Sequence, residues 1–265
     1  MTADSFEIHA IRYAQLARRS PANFIGGDGH DVDMPLYYYV WVIRDGTRTV
    51  VVDTGFGAAM ATRRGRLITR PVAEGLHALG VEPESVRDVV ITHLHYDHAG
   101  NLDLFPAATF HLQDREMAFA TGRCMGHGLF SHAYEADDVT AMVRRVFDRR
   151  VRFHDGAGEV LPGVELHLLG GHTRGLQVVR VRTRRGWVVL ASDASHFYAH
   201  VEQDRAFPIV HDLEALLEGY RTLRRLSESG RHIVPGHDPL VLARYPASAP
   251  GLEGWIARLD ADPAG

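Results

Sequence analysis

Apolar residues along this chain fall into two periods. Residues 36–43 (Leu-Tyr-Tyr-Tyr-Val-Trp-Val-Ile) and 48–52 are rich in β-branched and aromatic side chains, and the Asp45-Gly46 pair between them predicts a hairpin. Shorter runs of the same kind, Asp88-Val89-Val90-Ile91, residues 164–169, residues 187–192 and Ile233-Val234-Pro235, read as further strands. A helical period appears between them. Residues 71–79 predict a short helix closed by Gly80. Val139, Met142, Val143, Val146 and Phe147 form a stripe at i, i+3, i+4, i+7, i+8 behind Asp137-Asp138, which can cap it. Leu213, Leu216, Leu217, Tyr220 and Leu223 form another behind Asp212, and both stripes read as core packing. A last short helix is expected over residues 252–259, with a frayed end. Residues 20–35, rich in Gly, Pro and Asp, read as a long loop that places Phe24, Ile25 and Met34 on a pocket wall. Residues 114–137 carry Phe119, Met125, His127, Phe130, His132 and Tyr134 at a spacing that fits no single helix, and are expected to insert over the mouth of a site. Strands, helix, then strands and helix again is the α/β order of two sheets sandwiched between helices.

With 265 residues, 45% of them apolar, the chain can bury a full core, and one domain over residues 1–265 is expected. The net charge of −4 supplies no basic face for nucleic acid, and Arg63-Arg64-Gly65-Arg66, Arg144-Arg145 and Arg149-Arg150 read as solvated clusters. The start, Met1-Thr2-Ala3-Asp4-Ser5-Phe6-Glu7, shows no secretory pattern, and no apolar stretch of about 18 residues suggests a membrane span. A single cysteine, Cys124, forms no intrachain disulfide and fits a reducing, cytoplasmic setting; it reads as a packing residue rather than a nucleophile.

The chemistry is concentrated after the run ending at Ile91. Thr92-His93-Leu94-His95-Tyr96-Asp97-His98 places three imidazoles and a carboxylate within six residues. In an extended segment His93, His95 and Asp97 share a face and can converge on one ion, leaving His98 to reach a second if the chain turns helical at Ala99-Gly100-Asn101. Imidazole and carboxylate suit borderline divalent ions such as Zn²⁺. Two ions need more ligands, and three later strands each end at one: His172 behind Gly170-Gly171, Asp193, and His237 behind Gly236. With 17 histidines in the chain, position rather than number identifies these.

This series resembles the metallo-β-lactamase superfamily, whose signature is HxHxDH followed by His, Asp and His. The resemblance runs from Val50-Val51-Val52-Asp53-Thr54-Gly55 to Gly236-His237-Asp238 and implies an αβ/βα four-layer sandwich. It assigns His93, His95 and His172 to one metal and Asp97, His98 and His237 to the other, with Asp193 bridging. Asp53 matches a buried carboxylate that supports the metal loop. Within the superfamily the chain is most similar to the N-acyl-homoserine lactonases, on Ser192-Asp193-Ala194-Ser195 and the 44 residues between Asp193 and His237. Those lactonases usually carry Tyr three residues after the bridging Asp. Here that position is His196, with Tyr198 nearby, and either is expected to donate to the substrate oxyanion.

The resemblance implies hydrolysis of a lactone or related ester by a metal-bridging hydroxide. A metal can lower the pKa of its water from 15.7 to about 7, roughly 12 kcal/mol less work at neutral pH, so no Ser or Cys nucleophile is needed. Asp97 or Asp193 could carry the proton. The native ions could be Zn²⁺, Fe²⁺, Mn²⁺ or Co²⁺. A small molecule is the expected substrate, with a homodimer possible because the lactonases often dimerise. Rival readings are a glyoxalase II type thioesterase, disfavoured because only 28 residues follow His237; an exported β-lactamase; a phosphodiesterase, which would want a basic face; and a non-enzymatic metal-bound module. Seven ligands being supplied elsewhere, His127 and His132 are expected outside the metal site.

Overall fold

A computed structural model describes residues 5–264; the first four residues, within the segment examined for a secretory pattern, and Gly265 lie outside the described residues. The strands are β1 (Glu7–Leu16), β2 (Leu36–Arg44), β3 (Thr49–Val52), β4 (Leu67–Ile68), β5 (Asp88–Val90), β6 (Thr109–Gln113), β7 (Val151–His154), β8 (Gly158–Leu161), β9 (Val164–Leu168), β10 (Gln177–Thr183), β11 (Gly186–Ser192), β12 (Ile233–Pro235) and β13 (Ile256–Arg258). The α-helices are α1 (Ala58–Arg64), α2 (Val72–Ala78), α3 (Tyr96–Ala99), α4 (Asp114–Ala120), α5 (Gly128–Ser131), α6 (Ala136–Phe147), α7 (Tyr198–Gln203), α8 (Leu213–Leu226) and α9 (Leu240–Arg244).

One sheet runs β13-β1-β2-β3-β5-β6-β7, with β4 also paired to β1; the other runs β12-β11-β10-β9-β8. Strand alternation assigns each side chain to a layer. Tyr39, Trp41 and Ile43 of β2 meet Val179 and Val181 of β10 and Val188 and Leu190 of β11 in a core between the sheets. The alternate residues Tyr38, Val40 and Val42 face outward onto Leu76, Val139 and Met142 from α2 and α6. On the second sheet Val178, Val189 and Ala191 pack against Leu216, Tyr220 and Leu223 of α8. The order is therefore helices, sheet, sheet, helices. Among the described residues no helix is long and apolar enough to cross a membrane.

The expected hairpin forms, β2 pairing antiparallel with β3 across Gly46 at φ +89°. Asp212 caps α8, its carboxylate accepting from the Ala215 amide at 3.0 Å. Three expectations need correction. Residues 252–259 do not form a helix. Glycines 251 and 254 sit at positive φ, and Ile256 and Ala257 are buried in β13, antiparallel to β1; sheet pairing and burial override local propensity there. The residues after β13 do not fray at once, because Leu259 and Asp260 are buried. In the α6 stripe Phe147 is 84% exposed, and the cap position is Glu135 rather than Asp137 or Asp138, which lie in the first turn.

Asp138 is a poorly solvated carboxylate: Oδ2 is buried without a hydrogen-bond partner. Burial, then Glu135 and Asp137, push its pKa up to about 7 against the pull of Arg63 and Arg64. A folded pKa raised above the unfolded one makes the fold lose stability as pH rises through the window from about 4 to 7. Asp138→Asn should therefore raise the melting temperature by a few degrees at pH 8, and the gain should vanish near pH 4. Melting curves at the two pH values check this; an equal effect at both would contradict it.

Candidate metal centre

Every grouped side chain follows the carboxyl end of a strand. Asp53 follows β3, residues 92–98 follow β5, His172 follows β9, Asp193 follows β11 and His237 follows β12. Because β3 pairs parallel with β5 and β11 with β12, Asp53 lies beside the histidine segment and Asp193 beside His237. Close approach at this end demands glycine at two places. A Cβ on Gly236 would come 2.6 Å from the Ser192 carbonyl oxygen, and one on Gly171, at φ +84°, 2.6 Å from the Leu216 backbone.

Three imidazoles, His93, His95 and His172, form one group of converging ligand atoms; Asp97, His98 and His237 form a second. Asp193 stands between them. Its Oδ1 lies 3.3 Å from His98 Nε2 and 3.0 Å from His237 Nε2, while Oδ2 lies 3.3 Å from His172 Nε2 and 4.0 Å from His93 Nε2. Asp97 does not join His93 and His95, as a fully extended segment would have it do. Helix α3 starts at Tyr96, so the backbone swings Asp97 and His98 together toward His237.

Ring orientation is fixed from behind. His98 Nδ1 donates to Asp53 Oδ2 at 2.7 Å, His172 Nδ1 to the Ile209 carbonyl at 2.6 Å and His237 Nδ1 to the Tyr37 carbonyl at 2.8 Å. With Nδ1 carrying the proton, Nε2 of each ring presents a lone pair to the centre. Asp53 sits at φ +61° and also accepts from the Thr92 amide (2.8 Å) and hydroxyl (2.9 Å). Thr92 Oγ1 in turn lies 2.9 Å from Ser192 Oγ, at φ +45°, which joins the two sheets' loops. Such left-handed non-glycine residues are strained and persist where surroundings over-determine them.

Burial and facing charges compete across the centre. Burial depresses the basicity of His93, His95 and His172. It works the same way on His98 and His237, but Asp193 and Asp97 outweigh it and raise both. Burial alone would raise Asp97 and Asp193; the facing imidazoles, His98 foremost for Asp97 and His237 for Asp193, hold both carboxyls below their ordinary range. Despite these short approaches, no hydrogen bond of acceptable angle reaches His93 Nε2, His98 Nε2 or Asp193 Oδ1, all of them buried.

The two residues expected near the substrate carbonyl part company. His196 lines the cleft, stacks on Phe207 at 3.7 Å, and has Nε2 3.0 Å from Asp193 Oδ2; burial pushes its pKa down to about 3, so the ring is neutral and donates that bond. Tyr198 does not face the cleft. It belongs to the core between the sheets, under the Arg244 guanidinium at 3.9 Å, with its buried hydroxyl unpartnered, and this overturns its reading as a donor. The first residue of a helix points back toward the preceding turn, which the two-residue offset from His196 could not reveal.

Other expectations are revised too. Phe24 is buried against the His200 ring (4.9 Å) with Arg205 over it, Ile25 is exposed, and neither these nor Met34 line the cleft. From residues 114–137, His132 and Ala133 do reach the cleft wall, and His127 is exposed away from it. Unforeseen in the sequence is Glu116 of α4. Fully buried, it accepts from the Leu94 amide (2.9 Å), the Tyr134 hydroxyl (2.8 Å), the Thr173 hydroxyl (2.6 Å) and the Gly175 amide (3.1 Å). It thus ties the loop holding His93 and His95 to the loop holding His172. Also unforeseen are Arg18, Tyr38 and Tyr96 on the cleft wall, joined there by Arg64 and Arg66, which corrects the reading of that arginine cluster as purely solvated.

Residues 33–237 match the family described as Metallo-beta-lactamase superfamily. An N-acyl homoserine lactonase of Bacillus sp. is 27% identical over 227 residues, covering 79% of this chain and 84% of that protein. The crystal structure of a quorum-quenching N-acyl homoserine lactone lactonase superposes with TM-score 0.73 at 22% identity, covering 90% of this chain and 94% of the other. AidC, described as a dizinc quorum-quenching lactonase in complex with a product, superposes with TM-score 0.68 at 14% identity, covering 89% of each chain. At those identities the two structures show the shared fold.

Proposed function

Because the chain belongs to the metallo-β-lactamase superfamily, we propose that it is a dinuclear metal-dependent hydrolase that opens a lactone or a related carboxylic ester, most like the N-acyl-homoserine lactonases. One observation carries this reading: buried ligand atoms of His93, His98 and Asp193 face a common centre with no hydrogen-bond partner. Buried polar atoms are normally paired, and orphans in such number cost several kcal/mol unless something else satisfies them. Two divalent cations would, one on His93, His95 and His172, the other on Asp97, His98 and His237, with Asp193 shared. The imidazole and carboxylate set suits Zn²⁺ and also Fe²⁺, Mn²⁺ or Co²⁺.

When bound, such ions supply Lewis acidity and a water acidified to a pKa of about 7. The protein does the rest. Asp53, the Ile209 carbonyl and the Tyr37 carbonyl hold three imidazoles in the tautomer that leaves Nε2 free. Asp97 takes the proton from the attacking water and returns it to the leaving alkoxide, because Asp193 would be engaged by both ions and already accepts from His196 at Oδ2. His196 holds Asp193 from the cleft side and, by lining that side, sets where the substrate carbonyl lies.

His196→Phe keeps a ring on Phe207 but removes the bond to Asp193. The expected result is a fall in kcat of about 10²-fold, the upper end of what loss of a group that holds a ligand costs, with both metals still bound. Tyr198→Phe should leave kcat and metal content near the parent values, since its hydroxyl lies between the sheets. A crippled Tyr198→Phe beside a fully active His196→Phe would reverse the assignment. The activity itself is tested on a panel of lactones, thioesters and phosphodiesters. Turnover on lactones should lead; a clear preference for either other class would overturn the lactonase reading.

A further inference from the structure

Two arginines stand on the cleft wall without acidic partners. Strand β4 pairs with β1 at Ala14 and Gln15, which brings Arg66, just before β4, to the same side as Arg18, just after β1. Both line the cleft that holds His95, Asp97, His172 and Asp193. Neighbouring arginines have acidic partners: Arg19 pairs with Asp31 and Asp33, and Arg63 and Arg64 share Glu135. Among the described residues neither Arg18 nor Arg66 has a carboxylate within ion-pair distance.

Each guanidinium is nevertheless held in place. Arg18 Nη2 donates to the Ala22 carbonyl at 2.6 Å. Arg66 Nε donates to the Tyr96 hydroxyl at 2.9 Å and its Nη1 to the Arg64 carbonyl at 2.6 Å. Arg18 Nε and Nη1 and Arg66 Nη2 make no hydrogen bond to the described residues. Burial weakens the charged form of Arg18, and the positive charge of Arg66 adds to that. Burial opposes the charge of Arg66 as well, but Tyr38, Tyr96 and Asp97 outweigh it and keep that guanidinium charged, and two guanidinium forks on one wall suit a single anion between them.

Resting on the lactonase reading, we propose that Arg18 and Arg66 form an anion subsite, so that the lactone or ester substrate carries a carboxylate or phosphate-like group beside the reacting carbonyl. Tyr38 and Tyr96, whose hydroxyls lie 3.3 Å apart, form the adjoining wall. An uncharged acyl substituent leaves both guanidiniums unpaired in the cleft; an anionic one pairs them.

The test uses three γ-butyrolactones bearing, at one ring carbon, a carboxylate, a phosphonate or a carboxamide. The expected result is a kcat/KM for one anionic lactone about 10²-fold above that of the carboxamide, as two charge-assisted contacts allow, falling with added salt. The better of the two anions identifies the group. In Arg18→Met and Arg66→Met that ratio should collapse toward one. Turnover of all three lactones with no charge preference overturns the anion subsite alone. Absence of turnover on every lactone, with metals bound, overturns the lactonase reading, and calorimetry then decides the subsite separately. Tetrahydrofuran-2-carboxylate, which has no bond to hydrolyse, should bind the parent protein at least about tenfold tighter than Arg18→Met, and equal affinities would overturn the subsite.

Discussion

Asp193→Ala is expected to reduce hydrolysis to background and to lower the bound metal from two equivalents. Its two oxygens lie within 3.0–3.3 Å of His237, His98 and His172, and it is nearly fully buried. Without it, no carboxylate spans the imidazoles of the two groups, since Asp193 alone reaches His98 and His237 with one oxygen and His172 with the other. Loss of a residue that only supports a ligand typically costs about 10–100-fold, so removal of the shared carboxylate should exceed that range. Metal analysis and kcat on the purified variant check both parts. Parent-like activity with two equivalents retained would show that Asp193 is not shared.

Glu116→Ala is expected to have the largest effect on stability of any substitution outside the ligands. It would strand two backbone amides and two hydroxyls, all buried, that now converge on one carboxylate. Each unsatisfied donor costs about 1–3 kcal/mol. Relaxation and entering water offset part of this, and a net loss of about 3–4 kcal/mol corresponds to a melting temperature lower by roughly 10 °C in a domain of this size. Metal affinity should fall as well, because the same carboxylate joins the His93–His95 loop to the His172 loop. Glu116→Gln keeps one acceptor oxygen and should lose less. Thermal melting of both variants beside the parent checks this; a parent-like Glu116→Ala would show that the two loops hold their places independently.

Strand ends and the residues just beyond them were legible because alternation and glycine are local signals. The runs before His93, His172, Asp193 and His237 all became strands, and all four residues reached one centre. Partition of Asp97 was not legible from periodicity, since it depends on whether α3 begins one residue earlier or later. The role of Glu116 was hidden for a different reason. An acidic residue in the first turn of a short helix ordinarily faces water, and nothing within α4 reveals that Leu94, Tyr134, Thr173 and Gly175 arrive from other segments. The same holds for Arg18 and Arg66, which are brought to one wall by the two-residue strand β4. Residues 252–259 misled because their helix-compatible composition was outweighed by an open edge on β1.

A site that holds two ions through one shared carboxylate is tested most directly by the metal content per chain. The protein is stripped with chelator, reloaded with Zn²⁺ in excess, freed of unbound ion and analysed by inductively coupled plasma mass spectrometry. The His93, His95 and His172 group and the Asp97, His98 and His237 group predict two equivalents per chain, and a value that stays at one under saturating metal would contradict the shared site.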